Sequence, residues 1–570
     1  MSEIQETRNK NLINSVFAKI LIPALVAGAS ANLSAIIDGV IVGNKLGTVA
    51  LGAINACRPT MQIYGFLSEV LASGLVSCIA IAMGRNEKKS ADKLFTSCIL
   101  FSAIFAVVFT VAQFIFAPGI CRLFANDATL YPATLEYYRY FLFSFFFLIL
   151  MEPLASSMRA DGMPGMSGMV LLLPHIVNAL MDVIFVYGLE LGMKGAAIAT
   201  VIGYVVGFLP CCYYFFFKRS YRLTGGDFGK NLADITSTGL PLAVNMGLIS
   251  IKLLIVNSLV LTNGGSAGMA VMSILMTAWA LQSLFIGGVK QSMMPLISFY
   301  YSNGDYHGVR AVFSHAFKVL MSAVLTLSAL LVIFPKILPL LYGMRNAEEL
   351  AVAVVALRIF AIYLPLEAFI MLVITYYTAT GNKKTALLVS TLQGLGGMVI
   401  VIFPLAYFFG LIGVWISFAV SCLVPIGVIA IACHGNIERF FKMKGHTYLK
   451  ELSLDFSDIS DIVASVIEAV QNAGFDKDIA NRTGIAIEEM AVSAFERNKD
   501  KKLNVDVTVR KIDDSLLVTF VDNGVEFDPL QCDTASGPDD INNISMLKAI
   551  SHKIEYGRVV GMNKTDIVLK

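Results

Sequence analysis

The stretch HIVNALMDVIFVYGLELGMKGAAIAT, residues 175–200, is apolar enough for a lipid bilayer but carries three polar side chains that matter. Asn178 and Asp182 are four residues apart, so they project from the same face of a helix. A glycine-rich turn follows. With the turn centred near residue 191, Asp182 and Thr200 lie roughly 13 Å deep in antiparallel helices. A carboxylate within a membrane span marks an ion or proton pathway by default. The hairpin therefore predicts half of a cation site inside a transporter.

The composition indicates a membrane protein with a soluble appendage. The 570 residues are 56% hydrophobic and have a mean hydropathy of +0.71, whereas soluble domains average roughly 45–50% apolar residues. Residues 446–570 hold 14 Lys and Arg against 22 Asp and Glu, a net charge of −8, and the remainder carries +10. That division suits a membrane domain with basic loops and an acidic soluble tail. The nine cysteines form no CxxC pair, which favours small buried side chains over zinc ligands or disulfides.

Twelve apolar segments are long enough to cross a bilayer, which takes about 20 residues each. They lie near residues 13–43, 50–82, 94–117, 134–157, 166–187, 194–217, 236–261, 268–299, 311–334, 351–379, 385–408 and 411–434. Basic residues concentrate in alternate loops, as at Lys88 and Lys89. The positive-inside rule then places those loops, both termini and the tail in the cytoplasm.

The chain also repeats itself. Ile22–Pro23 recurs as Leu240–Pro241, and the turn Gly84–Asn86 recurs near Ser302–Asp305, with an offset close to 218 residues. Two six-helix bundles in the same orientation hold substrate between them and alternate access by rocking. The predicted fold is an all-α polytopic membrane domain (residues 1–434, with bundles at about 10–218 and 236–434), a linker (435–450) and a soluble α+β domain (451–570).

Asp38, in the first span, lies at a depth similar to that of Asp182 and Thr200. It is about eight residues, or roughly 12 Å, from the turn near Lys45–Gly47. Two carboxylates, an amide and a hydroxyl at one level provide oxygen ligands for Na⁺, or a pair whose proton affinity is raised by burial and mutual repulsion. The alternative is that Asp38 or Asp182 caps a broken helix or pairs with a structural cation.

The repeat provides an internal comparison for this site. Adding the offset to Asp38 and Asp182 gives Val256 and Ile400, neither of which can bind a cation. We therefore expect ion coupling to reside in the first bundle alone.

Other ionisable residues lie within apolar runs and are candidates for the substrate cavity: Arg58, Glu69, Lys252 and Glu367. Lys252 could pair with Glu367 across the cavity, and Arg58 could bind an anionic group. A position at a helix end, or a side chain that reaches the interface, explains each of them equally well.

Several motifs together resemble the multidrug and toxic compound extrusion (MATE) family, and most closely its prokaryotic members with an acidic site in the amino-terminal lobe. They are Pro23, Asp38, VIVGNKLGTVALGA (40–53), MGRNEKKSA (83–91), Arg159–Gly162, VNALMDVIF and MKGAAIAT. The resemblance covers residues 10–440. It implies a monomeric antiporter of the bacterial plasma membrane that exports cationic, amphipathic compounds in exchange for H⁺ or Na⁺. It also implies helix bending at Pro23 and a cation site at Asp38, Asn178, Asp182 and Thr200.

The tail has the pattern of a small α+β domain. Residues 457–474, 477–497 and 541–554 predict helices, and 503–510, 515–521 and 565–569 predict strands. The run NIERFFKMKGHTYLK (436–450) is basic and amphipathic, which predicts an interfacial helix or a linker.

The order of elements in the tail, with VDNGVEFDP (521–529) after a hairpin, resembles the ATPase fold of histidine kinases, gyrase and heat-shock chaperones, and especially anti-sigma-factor serine kinases. The resemblance implies adenine recognition by Asp522, Gly524 and Thr565. It also implies that Glu489 is the Mg²⁺-side acid or water activator. ATP with Mg²⁺ would be the cofactor, with weak ATPase or serine kinase activity.

The tail departs from that family at two positions. Ser493 stands where the family has the Asn that holds Mg²⁺, and INNISMLKAI (541–550) replaces a glycine-rich phosphate loop. The alternative is a degenerate domain that contacts a cytoplasmic protein. Two further functions stay open, a lipid-linked saccharide flippase and a membrane-tethered anti-sigma-type signalling protein. Nucleic acid is not an expected partner.

Overall fold

The computed structural model describes residues 11–124, 130–342, 344, 346–432, 447–454, 459–499, 503–512, 515–530 and 546–570; some side chains between residues 31 and 59 fall outside the description. The helices of the membrane part are α1 (Asn11–Gly84), α2 (Lys88–Phe124), α3 (Leu130–Phe141), α4 (Phe143–Ala160), α5 (Pro164–Asp182), α6 (Gly192–Tyr213), α7 (Phe228–Ser302), α8 (Tyr306–Ile333), α9 (Ile337–Leu341), α10 (Ala347–Ala379), α11 (Lys383–Thr391), α12 (Gly397–Ser421) and α13 (Leu423–Ala432). Short π-helical segments extend α5, α6 and α11 at Val183–Gly188, Tyr214–Lys218 and Leu392–Gly396.

Eleven segments among the described residues are long and apolar enough to cross a membrane, against twelve predicted. The last of them, Lys383–Ala432, has 50 residues and contains Gly410 with a φ of 55° and a ψ of −134°. The chain reverses near Gly410, as contacts between the residues before and after it show. Ser417 donates a hydrogen bond to the Met398 sulfur at 3.3 Å. A Cβ on Gly413 would also lie 1.9 Å from the Leu405 carbonyl oxygen. This segment therefore makes two passes, which accounts for the difference.

The internal repeat is visible in the two longest helices. Helices α1 and α7 have 74 and 75 residues, far more than one pass requires, and each contains two candidate spans. Gly265, with a φ of 57° and a ψ of −148°, divides α7. We call residues 11–218 the first lobe and residues 228–432 the second lobe.

The tail folds as an antiparallel sheet with two helices. The strands are β1 (Thr447–Leu454), β2 (Val505–Ile512), β3 (Ser515–Asp522), β4 (Lys553–Val559) and β5 (Met562–Leu569), in the order β1-β2-β3-β5-β4; the helices are α14 (Ile459–Asn472) and α15 (Lys477–Arg497). Alternate residues of β2, Val505, Val507 and Val509, pack with α14 and α15 in a core of their own. We call residues 447–570 the tail domain.

Two tail predictions were wrong in detail. Residues 447–450 belong to β1, whose Tyr448 pairs with Arg510 of β2, and not to a linker or an interfacial helix. The helix predicted over 541–554 is observed only at residues 546–550, and β4 begins at Lys553. The rest of the basic run, 436–446, lies outside the described residues, as do 541–545.

Strands β2, β3 and β5 are buried on both faces, because the second face of the sheet packs against the membrane helices. Val521, Val559, Val560 and Met562 belong to the same buried cluster as the two lobes. We call the ends of the helices on which the tail domain packs the tail side.

Candidate functional site

The polar pair predicted on α5 is buried in the first lobe. Asn178 is 6% exposed and Asp182 is 2% exposed. The Asn178 amide donates to the Asp182 Oδ2 at 2.9 Å and lies 3.5 Å from the Thr200 hydroxyl oxygen. Thr200 in turn donates to the Ala196 carbonyl oxygen at 3.1 Å. The structure therefore brings together an amide, a carboxylate and a hydroxyl from α5 and α6, as the spacing predicts.

A close approach of α5 and α6 positions these three side chains. A Cβ on Gly203 would lie 2.5 Å from the Pro174 carbonyl oxygen and 3.2 Å from the Asn178 Cβ. Glycine at this position lets the helix backbones come together one turn from Thr200. Directly after Asp182 the helix widens into its π-helical segment, a feature often found at functional sites.

The first helix packs against α5 near the pair, and bending at Pro23 stays a prediction. A Cβ on Gly168 would lie 2.6 Å from the Pro23 Cβ. Ser34, which is buried, donates to the His175 carbonyl oxygen at 3.4 Å. The side chain of Asp38 lies outside the described residues, so its meeting with Asp182 stays a prediction.

A cavity of about 220 Å³ lies in the first lobe where it faces the second, lined by Pro174 and His175 one turn from Asn178. Its other polar lining groups are Glu152 and Tyr204 of the first lobe and Gln291 of the second. The remaining lining is apolar: Ala24, Ala27, Gly28, Leu148, Met151, Val170 and Leu171. An apolar cavity with one carboxyl group suits an amphipathic cation. Glu152 is an ionisable residue in an apolar run, like the cavity candidates, but it was not among the four residues predicted to line the cavity.

The lobes close against each other on the tail side of this cavity. Lys290 of α7 forms an ion pair with Glu69 of α1 at 3.0 Å, and the hydroxyls of Ser77 and Ser298 are 3.0 Å apart. A Cβ on Gly74 would lie 2.0 Å from the Ile235 carbonyl oxygen. Glu69, a candidate for the cavity, therefore joins the two lobes instead. Lys290 could not be assigned to it from sequence because the two residues are 221 positions apart.

The remaining cavity candidates do not line this space. Lys252 and Glu367 are buried within the second lobe, where Lys252 donates to the Gln393 carbonyl oxygen at 3.4 Å. Glu367 accepts from the Trp279 indole at 2.9 Å. The two residues are neighbours inside one lobe and not partners across the cavity. The side chain of Arg58 lies outside the described residues.

The aspartate predicted to recognise adenine is already engaged within the tail domain. Asp522 accepts from the Gly524 N–H at 2.8 Å and from the Asn563 amide at 2.9 Å. Burial raises the pKa of Asp522, and these hydrogen bonds oppose that rise. Asn563 is also held by Arg558, which donates to its Oδ1 at 2.6 Å. An adenine amino group would have to displace this network.

The other predicted nucleotide residues are not gathered into a metal site. Ser493 is buried on α15, and Thr565 is buried on β5 opposite Phe520. Glu489 is half-buried, and burial together with Glu488 raises its pKa. Among the described residues, no group of three His, Cys, Asp or Glu side chains could hold a metal ion. The tail is thus a small sheet domain, and its ATPase resemblance stays a prediction.

Comparison with known proteins identifies relatives of the membrane part. A family model described as MatE matches residues 23–184 and 241–408. Multidrug export protein MepA of Staphylococcus saprophyticus is 23% identical over 431 residues, covering 74% of this chain and 93% of that protein. The probable multidrug resistance protein NorM of Thermotoga maritima is 22% identical, with coverage of 73% and 89%.

Solved structures show the same fold. A transporter of the MOP superfamily from Pyrococcus furiosus, described by its reversed binding-pocket polarity, superposes with a TM-score of 0.68 at 22% identity, covering 76% of this chain and 97% of that one. An outward-facing multidrug resistance transporter superposes with a TM-score of 0.67 at 24% identity, with coverage of 75% and 97%. The two matched segments of the family model begin 218 residues apart, which confirms the predicted repeat.

Proposed function

Because this chain belongs to the MATE family of multi-pass membrane transporters, we propose that it is a secondary active exporter of small, cationic amphipathic compounds. The observation that carries the proposal is the buried group formed by Asn178, Asp182 and Thr200. A carboxylate held this far from water is costly, so it favours a site that takes up and releases a cation. The multidrug names of the relatives agree with this class of substrate.

The coupling ion is proposed to be H⁺ or Na⁺, bound at Asp182 with Asp38 as the second carboxylate. Protonation would neutralise Asp182, and Na⁺ would take oxygen ligands from Asp182, Asn178 and Thr200. Either ion can drive export only if its affinity differs between the two access states. Asn178 links the other two groups, because its amide donates to Asp182 and lies 3.5 Å from the Thr200 hydroxyl oxygen.

We place the tail side in the cytoplasm of a bacterial cell, since the basic loops at Lys88 and Lys383 lie on that side. The lobe contacts at Glu69 and Ser77 would then close the cytoplasmic side, as expected for the releasing state of an exporter. Glu152 in the cavity wall supports a cationic substrate.

The two rival functions receive less support. A lipid-linked saccharide flippase needs a basic cavity, but Lys252 is buried in the second lobe against Gln393. An anti-sigma-type kinase needs an accessible nucleotide site, but Asp522 is engaged by Asn563. We propose that the tail domain regulates the transporter by protein contact. If the full-length chain binds radiolabelled ATP and Asp522→Ala abolishes that binding, the tail domain is instead regulated by nucleotide.

The decisive experiment is ethidium efflux from proteoliposomes under separately imposed proton and sodium gradients. We expect Asp182→Asn to lower ion-driven efflux at least tenfold, because the amide can neither bind a proton nor carry a negative charge. Asp234→Asn is the matched control, since Asp234 is exposed and lies 3.8 Å from Lys383 at the surface. Normal gradient-driven efflux in Asp182→Asn would contradict the proposal.

A further inference from the structure

The buried polar face of the tail sheet contacts equivalent loops of both lobes. The α1–α2 loop, with Gly84 and Asn86, and the α7–α8 loop, with Asn303 and Asp305, occupy matching positions in the internal repeat. In a rocking transporter these loops move apart when the tail side opens. A rigid body attached to both of them opposes that motion.

The attachment to the first lobe uses β5 and its neighbour β4. Lys564 donates to the Gly84 carbonyl oxygen at 2.7 Å. The Asn86 amide lies 2.9 Å from the Asp566 Oδ2 and 3.0 Å from the Glu555 Oε2. A further contact is made by the β4–β5 turn, where the Val560 N–H donates to the Ala160 carbonyl oxygen at 2.6 Å.

The attachment to the second lobe uses β1 and β2. Tyr448 donates to the Asp305 Oδ1 at 3.0 Å, and its ring stacks on His307 with centroids 4.5 Å apart. Arg510 donates to the Asn303 carbonyl oxygen at 2.6 Å. Both Tyr448 and Arg510 are buried, so water competes little for these contacts.

One hydrogen-bonded row connects the two attachments across the sheet. Arg510 donates to the Thr519 hydroxyl at 3.0 Å, and Thr519 donates to the Asp566 Oδ1 at 2.8 Å. Asp566 pairs with Lys564 at 2.7 Å, and all four side chains are buried. The five hydrogen-bonded strands thus join the contact residues into a single body, and the loops cannot separate while both attachments hold.

We propose that the tail domain is an autoinhibitory clamp that fastens the α1–α2 loop to the α7–α8 loop and holds the tail side of the transporter closed. Its partner is the chain's own pair of lobes, and release of either attachment frees one lobe to move. The proposal deepens the regulatory role assigned to the tail and rests on the alternating-access function.

Access to the lobe interface can be measured without transport. Ser298 is fully buried against Ser77. In the variant Ser298→Cys, the rate at which the new cysteine reacts with a maleimide therefore reports opening of the tail side. The reaction rate of the parent chain, which has its own cysteines, is subtracted. In that background, Asn86→Asp places a carboxylate against Glu555 and Asp566 while keeping a residue type that tolerates the φ of 59°. We expect modification to be roughly tenfold faster, within the usual range of allosteric coupling.

Three further variants define the outcome. Asn382→Asp makes the same change in the α10–α11 turn, where the side chain caps α11, and should leave the rate unchanged. Glu555→Gln should reverse part of the effect of Asn86→Asp, because it removes one repelling charge. Tyr448→Phe should also raise the maleimide reaction rate, because it weakens the attachment to the second lobe. The double variant with Asn86→Asp should react no faster than the faster of the two single variants.

An unchanged rate in both Asn86→Asp and Tyr448→Phe would overturn the clamp. A rise in Asn86→Asp that Glu555→Gln does not reverse, or multiplying effects in the double variant, would also overturn it. The measurement needs neither substrate nor ion gradient. The clamp can therefore hold or fail independently of the efflux test on Asp182.

Discussion

At the scale of single residues, the candidate site depends on the absence of a side chain at Gly203. Any side chain there would meet the Pro174 carbonyl oxygen and Asn178, so α5 and α6 would have to separate. Thr200 would then move away from Asn178, from which it is now 3.5 Å distant. The geometry of the cation site is thus determined by helix packing as well as by its polar side chains.

We therefore predict that Gly203→Ala destabilises the protein by about 1–3 kcal/mol, the usual cost of overpacking a core, and lowers ion-driven efflux. Thermal unfolding in detergent measures the first effect. Gly119→Ala is the control, because nothing lies within 4 Å of a Cβ at that exposed position of α2. Equal melting temperatures for the two variants would show that α5 and α6 can separate at no cost.

At the scale of elements, the short α4–α5 loop carries a partly buried acid. Asp161 accepts from the Tyr214 hydroxyl and from the Ser220 N–H, and burial, which outweighs these bonds, raises its pKa to about 6. The next residue, Gly162, packs against Gly561 of the tail domain. The loop therefore holds a titratable carboxyl group, Asp161, directly beside a residue that contacts the tail domain.

The sign of the pH effect follows from this raised pKa. The folded state holds the Asp161 proton more tightly than the unfolded chain, whose pKa is near 4. The stabilisation is complete below that value and is lost as the pH rises through about 6. We predict that the melting temperature falls between about pH 4 and pH 6 more steeply in the parent chain than in Asp161→Asn. Parallel profiles would contradict the assignment.

Local elements were the most predictable from sequence. The Asn178–Asp182 pair follows from helical spacing alone, and α15 ends at Arg497 as its pattern predicts. Strand β1 was missed because residues 447–450 continue a basic amphipathic run, and only pairing with β2 shows that they are extended. The register of a strand depends on a partner that lies far away in the sequence.

At the scale of the whole molecule, the relation between lobes and tail could not be read from the sequence. Thr508, Arg510 and Thr519 have the polar character of a solvated sheet face, yet they are buried. Lys290 and Glu69 likewise have no sequence signal that pairs them. The repeat predicted two similar lobes, but not which side of the interface is closed.

The ion pair between the lobes provides a test at this scale. Glu69 and Lys290 are each about a quarter exposed, so the pair should contribute no more than about 1 kcal/mol, or roughly fivefold in the closed-to-open ratio. We predict that Glu69→Lys opens the tail side, with faster maleimide reaction at Ser298→Cys. Adding Lys290→Glu should restore closure by reversing the pair. Failure of the swapped pair to restore closure would show that Glu69 acts through another contact.

The position of β5 in the sheet has a consequence for biosynthesis. This strand lies between β3 and β4 and supplies Lys564 and Asp566, yet it is made after the other four strands of the sheet. All the membrane-spanning helices leave the ribosome earlier, so the transporter is inserted before the tail domain can form the clamp. A message cut short before Met562 would yield a transporter that is embedded, intact in both lobes and permanently unrestrained.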